Sequence, residues 1–194
     1  EVKTALAEVY DKGYGKYGSP KGITELRKAL AEPGIGTSWQ RTITEENIMI
    51  CPGARFAVYL AINTLLNPGD EMIVIEPAWP AYKDCALNAG IKVRTIKTTL
   101  ETNWEPSVEQ INNTINENTK MIVLNYPNNP TGKELPENIQ GSVIEIAKKH
   151  DLYVLSDEIY SEYLSPYLNN FKSVLEYDYK KSIITKSFSK SHAM

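Results

Sequence analysis

Apolar residues along this chain gather in short runs, separated by longer stretches in which they recur every three or four positions. Met72-Ile73-Val74-Ile75 and Met121-Ile122-Val123-Leu124 are uninterrupted runs, the pattern of strands buried on both faces. Asn47-Ile48-Met49-Ile50, Tyr153-Val154-Leu155 and Ser182-Ile183-Ile184-Thr185 read as further strands, and Lys92 to Lys97 alternates as a strand nearer an edge. Between them the period lengthens. Phe56, Val58, Leu60, Ala61 and Leu65 mark a helix after Pro52-Gly53, which Asn67-Pro68-Gly69-Asp70 ends. Other helices stop at Asn88-Ala89-Gly90, carry Val108, Ile111 and Ile115, and run from near Pro136 through Ile139, Val143 and Ile146 to His150. Strands alternating with helices predict an α/β fold with three αβα layers and a mainly parallel, doubly wound sheet.

The first residues differ. Val2, Leu6 and Val9 give a modest helical stripe over Glu1 to Lys12, overlapped by a glycine- and tyrosine-rich segment, Tyr10 to Gly18, expected not to be helical. Gly13-x-Gly15-x-x-Gly18 has the spacing of a dinucleotide fingerprint, but that motif needs a strand before it, and a helix pattern stands there. Ser19-Pro20 then reads as the start of a second helix, with Ile23, Leu26 and Leu30 on its buried face. The expected organisation is an N-terminal helix and Gly/Tyr-rich segment over residues 1–18 and a large domain over 19–194. Residues 161–172 form the one long irregular stretch.

Composition narrows the function classes. The 194 residues include 42% hydrophobic and 23% charged ones, an ordinary globular balance, and the formal charge of −3 offers no footprint for nucleic acid or an anionic membrane. No run is long enough to span a bilayer, and no signal peptide opens the chain, so the expected setting is cytoplasmic. Cys51 and Cys85, with only His150 and His192 besides, provide neither a disulfide framework nor a metal-ligand spacing.

In doubly wound sheets, ligands bind beyond the carboxyl ends of the strands. The residues there are Gly53-Ala54-Arg55, Trp79, Asn125 to Gly132, Asp157-Glu158-Ile159-Tyr160 and Ser187 to Lys190. Together they offer a helix N-terminus, a flat aromatic ring, amides, a carboxylate with a phenol, and an amine. Ser187-Phe188-Ser189-Lys190 alone is a polar turn. It gains meaning from what precedes it: Tyr17-Gly18-Ser19-Pro20-Lys21-Gly22, Pro52-Gly53-Ala54-Arg55, Asn67-Pro68-Gly69-Asp70-Glu71, Pro77-Ala78-Trp79-Pro80-Ala81-Tyr82, Asn128-Asn129-Pro130-Thr131-Gly132 and Ser156-Asp157-Glu158-Ile159-Tyr160. In this order, over nearly the whole chain, the motifs resemble those of the class I/II aminotransferases, enzymes of pyridoxal 5'-phosphate (PLP) with fold type I.

The resemblance implies roles. Lys190 looks like the amine that binds PLP as a Schiff base and then acts as general base, which requires partial desolvation because an ordinary Lys, with a pKa of about 10.4, is protonated at neutral pH. Asp157 is similar to the partner of the pyridinium nitrogen, which keeps the ring an electron sink. Tyr160 and Asn129 resemble the pair that bonds the ring hydroxyl, and Trp79 the ring that stacks on the cofactor. The phosphate is expected at Gly53, Ala54 and Arg55, where free N–H groups and the helix dipole favour an anion, with Ser187 and Ser189 adding hydroxyls. Tyr17 resembles a tyrosine that reaches the phosphate of a neighbouring subunit, implying a homodimer with shared active sites.

The implied activity is transamination between an L-amino acid, aspartate or another common one, and a 2-oxo acid, with no metal. β- or γ-elimination on the same scaffold, as in C–S lyases or aminocyclopropane-carboxylate synthases, is the alternative reaction. Aminotransferase-like sensor domains fused to DNA-binding domains, and fragments that do not bind the cofactor, are non-catalytic alternatives. Relatives of this kind continue past the lysine into a phosphate-binding arginine and a small domain with the arginine that grips the substrate carboxylate. His192 stands where an aromatic residue is common. The chain is therefore read as an excerpt, incomplete at both ends and not expected to catalyse transamination alone.

Overall fold

The computed structural model describes residues 2–13, 17–32, 43–163 and 171–194. Two compact units divide them, one comprising residues 1–35 and 43–51, the other 36–42 and 52–194.

The larger unit holds a five-stranded sheet in the order β2-β1-β3-β4-β5. The strands are β1 (Glu71–Glu76), β2 (Lys92–Lys97), β3 (Thr119–Asn125), β4 (Tyr153–Asp157) and β5 (Ser182–Thr185), and every pairing is parallel. Parallel neighbours require crossovers. Helices α4 (Ala81–Asn88), α5 (Val108–Thr114) and α6 (Glu137–Lys149) make three of them, the β4–β5 connection carries the 3₁₀ turns Ser161–Tyr163 and Val174–Glu176, and α3 (Ala54–Leu65) leads into the sheet. The strand order reverses between β1 and β3, the switch point at which such sheets open a crevice.

Side chains alternate between the two faces of a strand, which sorts the core into two layers. Met72 and Val74 of β1, with Met121, Val123 and Leu155, pack against Val58 and Ile62 of α3 and Tyr82, Cys85 and Ala86 of α4. Ile73, Ile75, Ile122, Leu124 and Val154 pack on the other face against Ile111 of α5 and Val143, Ile144 and Ala147 of α6. The apolar runs at β1 and β3 are thus buried on both faces, as read from sequence. At β2 only Ile96 is buried, which fits its edge position.

Some sequence readings fail. Residues 48–50 form no strand. Glu45–Asn47 is a 3₁₀ turn, and although Ile48 has extended dihedrals, no ladder partner lies beside it among the described residues. The backbone of Ile50 instead donates to Lys21 O at 2.9 Å. An apolar run becomes a strand only where another strand accepts its hydrogen bonds.

Ser19-Pro20 does not open a helix either. Ser19 O accepts from Gly22 N at 2.9 Å, and Gly22 has φ +96° with the side chain of Ile50 where a Cβ would lie. That left-handed residue, which L side chains rarely adopt, interrupts the helix, so α2 starts later (Thr24–Ala31). Its buried residue is Arg27, whose guanidinium donates to Glu45 O at 2.6 Å, while Ile23 is exposed. Helix α1 (Val2–Asp11) carries Tyr10 and Asp11, which were read as non-helical, and none of its residues is buried. Tyr14, Gly15 and Lys16 of the glycine-rich segment lie outside the described residues. In the stretch read as irregular, Ser161–Tyr163 forms a 3₁₀ turn, and residues 164–170 lie outside the described set.

Truncating Ile122, on the central strand, should cost about 2–5 kcal/mol as Ile122→Ala, whereas exposed Leu87→Ala should stay within about 0.5 kcal/mol. Urea unfolding checks this as a lowered midpoint with an unchanged slope for Ile122→Ala alone.

Candidate active site

Four strand ends and one helix start meet at the carboxyl edge of the sheet. At its centre is Asp157, the last residue of β4, 1% exposed. Both carboxylate oxygens accept hydroxyl donors: Tyr82 Oη donates to Oδ2 at 2.5 Å, and Thr185 Oγ1 donates to Oδ1 at 2.8 Å. Asn125 at the end of β3 donates its side-chain amide to Asp157 O at 3.2 Å. Burial pushes the Asp157 carboxyl above its usual range, while the bonds from Tyr82, Thr185 and the Ile159 amide pull it back. No cation forms an ion pair with it among the described residues. The Tyr82 phenol is raised too, first by burial and then by the neighbouring carboxylate, so it stays a donor.

Trp79 stands beside this centre. Its ring meets Tyr82 edge-on at 5.4 Å between centroids, and the Arg55 guanidinium lies 5.1 Å from its centroid. Arg55 belongs to the first turn of α3, whose N-cap is Gly53 at φ +86°, ψ 155°, a conformation open essentially only to glycine. Among the described residues, no side chain caps this helix, and no atom lies within 4 Å of where a Gly53 Cβ would be. Phe56 N and Ala57 N both bond Gly53 O, so the amides of Ala54 and Arg55 precede the helix ladder.

After β3 the chain folds on its own amides. Asn128 Oδ1 accepts from Thr131 N at 3.1 Å and Thr131 Oγ1 at 2.8 Å, and Asn128 Nδ2 donates to Pro77 O at 3.1 Å, bridging the loops after β1 and β3. Asn129 N donates to Asn125 Oδ1 at 3.1 Å, which ties the backbone of Asn129 to the residue that bonds Asp157. Beyond β4 and β5, Lys190 Nζ lies 5.8 Å from the Tyr160 ring centroid, and the Tyr163 hydroxyl donates to Lys190 O. Lys190 sits on α7 (Phe188–Ser191), capped by Ser187 Oγ, which accepts from Ser189 N at 3.1 Å.

One expectation is not met. Lys190 was read as partly desolvated, but it is exposed, as are Ser189 and the rest of α7. Tyr17 is fully exposed and belongs to the smaller unit. The larger unit brings Arg55, Trp79, Asp157 and Asn129 into one bonded or stacked series, with Tyr160 and Lys190 beside each other. Tyr82 and Asn125 stand in the motifs read from sequence but were assigned no role there, and Thr185 was read only as a strand residue. Tyr82 follows Trp79 by three residues, a spacing that puts both on one side of a helix start. Thr185 meets Asp157 only through the β4–β5 register, which pairs the two residues.

Comparison with known proteins agrees with this geometry. The family model described as "Aminotransferase class I and II" matches residues 1–194. The chain is 35% identical over 185 residues to an aspartate aminotransferase of Thermotoga maritima, covering 94% of the chain and 48% of that protein. It is 37% identical over 198 residues to one of Sulfolobus acidocaldarius, covering 100% of the chain and 48% of that protein. Among solved structures, a Thermus thermophilus aspartate aminotransferase mutant superposes with a TM-score of 0.93 at 33% identity, over 100% of this chain and 50% of that one. The chain therefore spans about half the length of the relatives it matches.

Glu158, next to Asp157, gives a pH prediction. Burial raises its carboxyl from an ordinary 4.5 to about 7, against the pull of the Val174 amide and the Ser173 hydroxyl. The folded protein thus holds this proton more tightly than the unfolded one, so the stability it contributes is full below pH 4.5 and is lost as pH rises to about 7. Thermal melts between those values should fall with pH, and Glu158→Gln should flatten the fall, leaving the part due to Asp157.

Proposed function

The chain belongs to the class I and II aminotransferase family, and on that premise we propose that it is the cofactor-binding half of a PLP-dependent aminotransferase acting on an amino acid such as aspartate and on a 2-oxo acid. The observation that carries this reading is Asp157: a buried carboxylate, oriented by two hydroxyls and without a cation partner among the described residues, beside the strand end that leads to Lys190. A carboxylate kept out of water at a ligand crevice is stabilised by a cation brought to it. A protonated pyridine nitrogen is such a cation. The open space over Gly53 and the amides of Ala54 and Arg55 suit a phosphate in the same way. PLP fits the residues present.

Bound there, PLP supplies an electron sink for the charge left when the Cα–H bond of an amino acid breaks. Asp157 would hold the proton on the ring nitrogen, and Tyr82 and Thr185, by donating to its two oxygens, favour its ionised form and fix its direction. Trp79 offers a flat face for stacking. Tyr160 and Asn129 would bond the ring hydroxyl, and Ser187 and Ser189 with the α3 amides would grip the phosphate. Lys190 provides the amine that anchors the cofactor and, once released, takes the Cα proton and returns it. Tyr17 serves the neighbouring subunit of a homodimer. The protein works in the cytoplasm.

Borohydride treatment of the full-length protein loaded with PLP should fix the cofactor to the peptide containing Lys190, and Lys190→Ala should abolish the attachment. Attachment elsewhere, or none, overturns the reading. The full-length protein should move the amino group of aspartate to 2-oxoglutarate, with Lys190→Ala slower by about 10²–10⁴-fold through loss of the proton carrier. Ammonia released without an oxo-acid acceptor would instead mark elimination.

A further inference from the structure

We propose that Glu158 and Lys186 form a positioning pair behind the site, locking the strand end that carries Asp157 and Tyr160 to the one that carries Ser187 and Lys190. This rests on the cofactor reading, because the pair sets the spacing between two ends of that site.

The register places the two groups. Asp157 pairs with Thr185 as the last rung between β4 and β5, and Glu158 N then donates to Thr185 O at 2.9 Å. Alternation turns Asp157 and Thr185 toward Tyr82 on the α3–α4 face. The next residue on each chain, Glu158 or Lys186, turns to the opposite face. There Glu158 is 1% exposed, and its Oε1 accepts from Ser173 Oγ and Val174 N, both at 3.1 Å. Its Oε2 is buried with no hydrogen-bond partner among the described residues, and so is Lys186 Nζ.

An acid and an amine thus lie behind the site, each with a buried polar atom that has no hydrogen-bond partner among the described residues, and both the Lys186 amine and the Ser156 hydroxyl favour the ionised form of Glu158. Glu158 and Lys186 each adjoin a proposed cofactor residue, Asp157 in one case and Ser187 in the other. Burial lowers the Lys186 amine, while Glu158 and, further out, Glu162 raise it, so its charge depends on these carboxylates. An isolated buried charge is costly, and closing the pair would relieve both groups at once. Were Glu158 only an anchor for Ser173 and Val174, Lys186 would have no part in its action. That difference makes the proposal testable.

The test is a double-mutant cycle on the full-length protein stripped of cofactor, reading the PLP dissociation constant by absorbance titration and the melting temperature without PLP. Glu158→Gln and Lys186→Met should each weaken PLP binding about tenfold, and the double variant should bind no more weakly than the weaker single one. If the two losses multiply, or Lys186→Met binds PLP like the wild type, the pair is overturned while the cofactor reading stands. A wild type that takes up no PLP overturns the cofactor reading and the pair's role with it. If Glu158→Gln does not fold, Lys186→Arg carries the test: it keeps the charge and should bind PLP like the wild type where Lys186→Met does not. Equal weakening in both overturns the pair.

Discussion

A carboxylate buried at the end of a central strand is the constraint on which the rest of this molecule depends. Asp157 is tolerable there because two hydroxyls and the Ile159 amide share its charge. Each donor comes from a different part of the fold. Tyr82 is delivered by α4 and fully buried in the core layer that α3 and α4 make, so the orientation of the carboxylate depends on packing well away from the crevice. Thr185 is delivered by the strand next door, so it depends on the β4–β5 register. A slip of one residue would turn Thr185 to the other face and leave Oδ1 without a donor.

The same alternation divides labour between the faces of the sheet. Residues 155, 157 and 185 look toward α3 and α4, where the aromatic ring, the glycine-capped helix start and the carboxylate gather. Residues 154, 156, 158 and 186 look the other way, toward Ser173, Val174 and α6. The crevice opens where the order of strands reverses, between β1 and β3, and Asn128 spans it by donating to Pro77 O. Topology puts the loops together, and side-chain amides then hold them at a set distance.

Much of this was legible in the sequence. The runs at β1 and β3 could be recognised because a parallel strand covered on both faces has no polar positions to interrupt it. Proline and glycine marked the loops, so the residues past each strand could be compared as a set, and Asp157, Trp79 and Lys190 emerged from it. Ile48 to Ile50 misled because local composition carries no record of whether a neighbouring strand exists. Ile23 misled because the positive φ of Gly22 moved the helix start past it. The parts played by Tyr82, Thr185 and Glu158 stayed hidden for a different reason. Their importance lies in whom they touch, across 75, 28 and 15 residues of chain respectively, and periodicity does not report such pairings.

The two ends of the candidate site also differ in burial, in a way that suits the proposed chemistry. Asp157 is held by three donors in a closed core, whereas Lys190 rides on a four-residue helix whose side chains are exposed. A partner for a ring nitrogen has one task and works best when it cannot move, since preorganised charge costs no rearrangement as the reaction proceeds. A lysine that anchors a cofactor, releases it and then carries a proton has to swing on its stem between tasks. Freedom at Lys190 is harmless only if the strand end beneath it stays in register with the one bearing Asp157. The ladder bond from Glu158 N to Thr185 O provides part of that registration. The buried carboxyl of Glu158 and amine of Lys186, one step further along each chain, are placed to provide the rest.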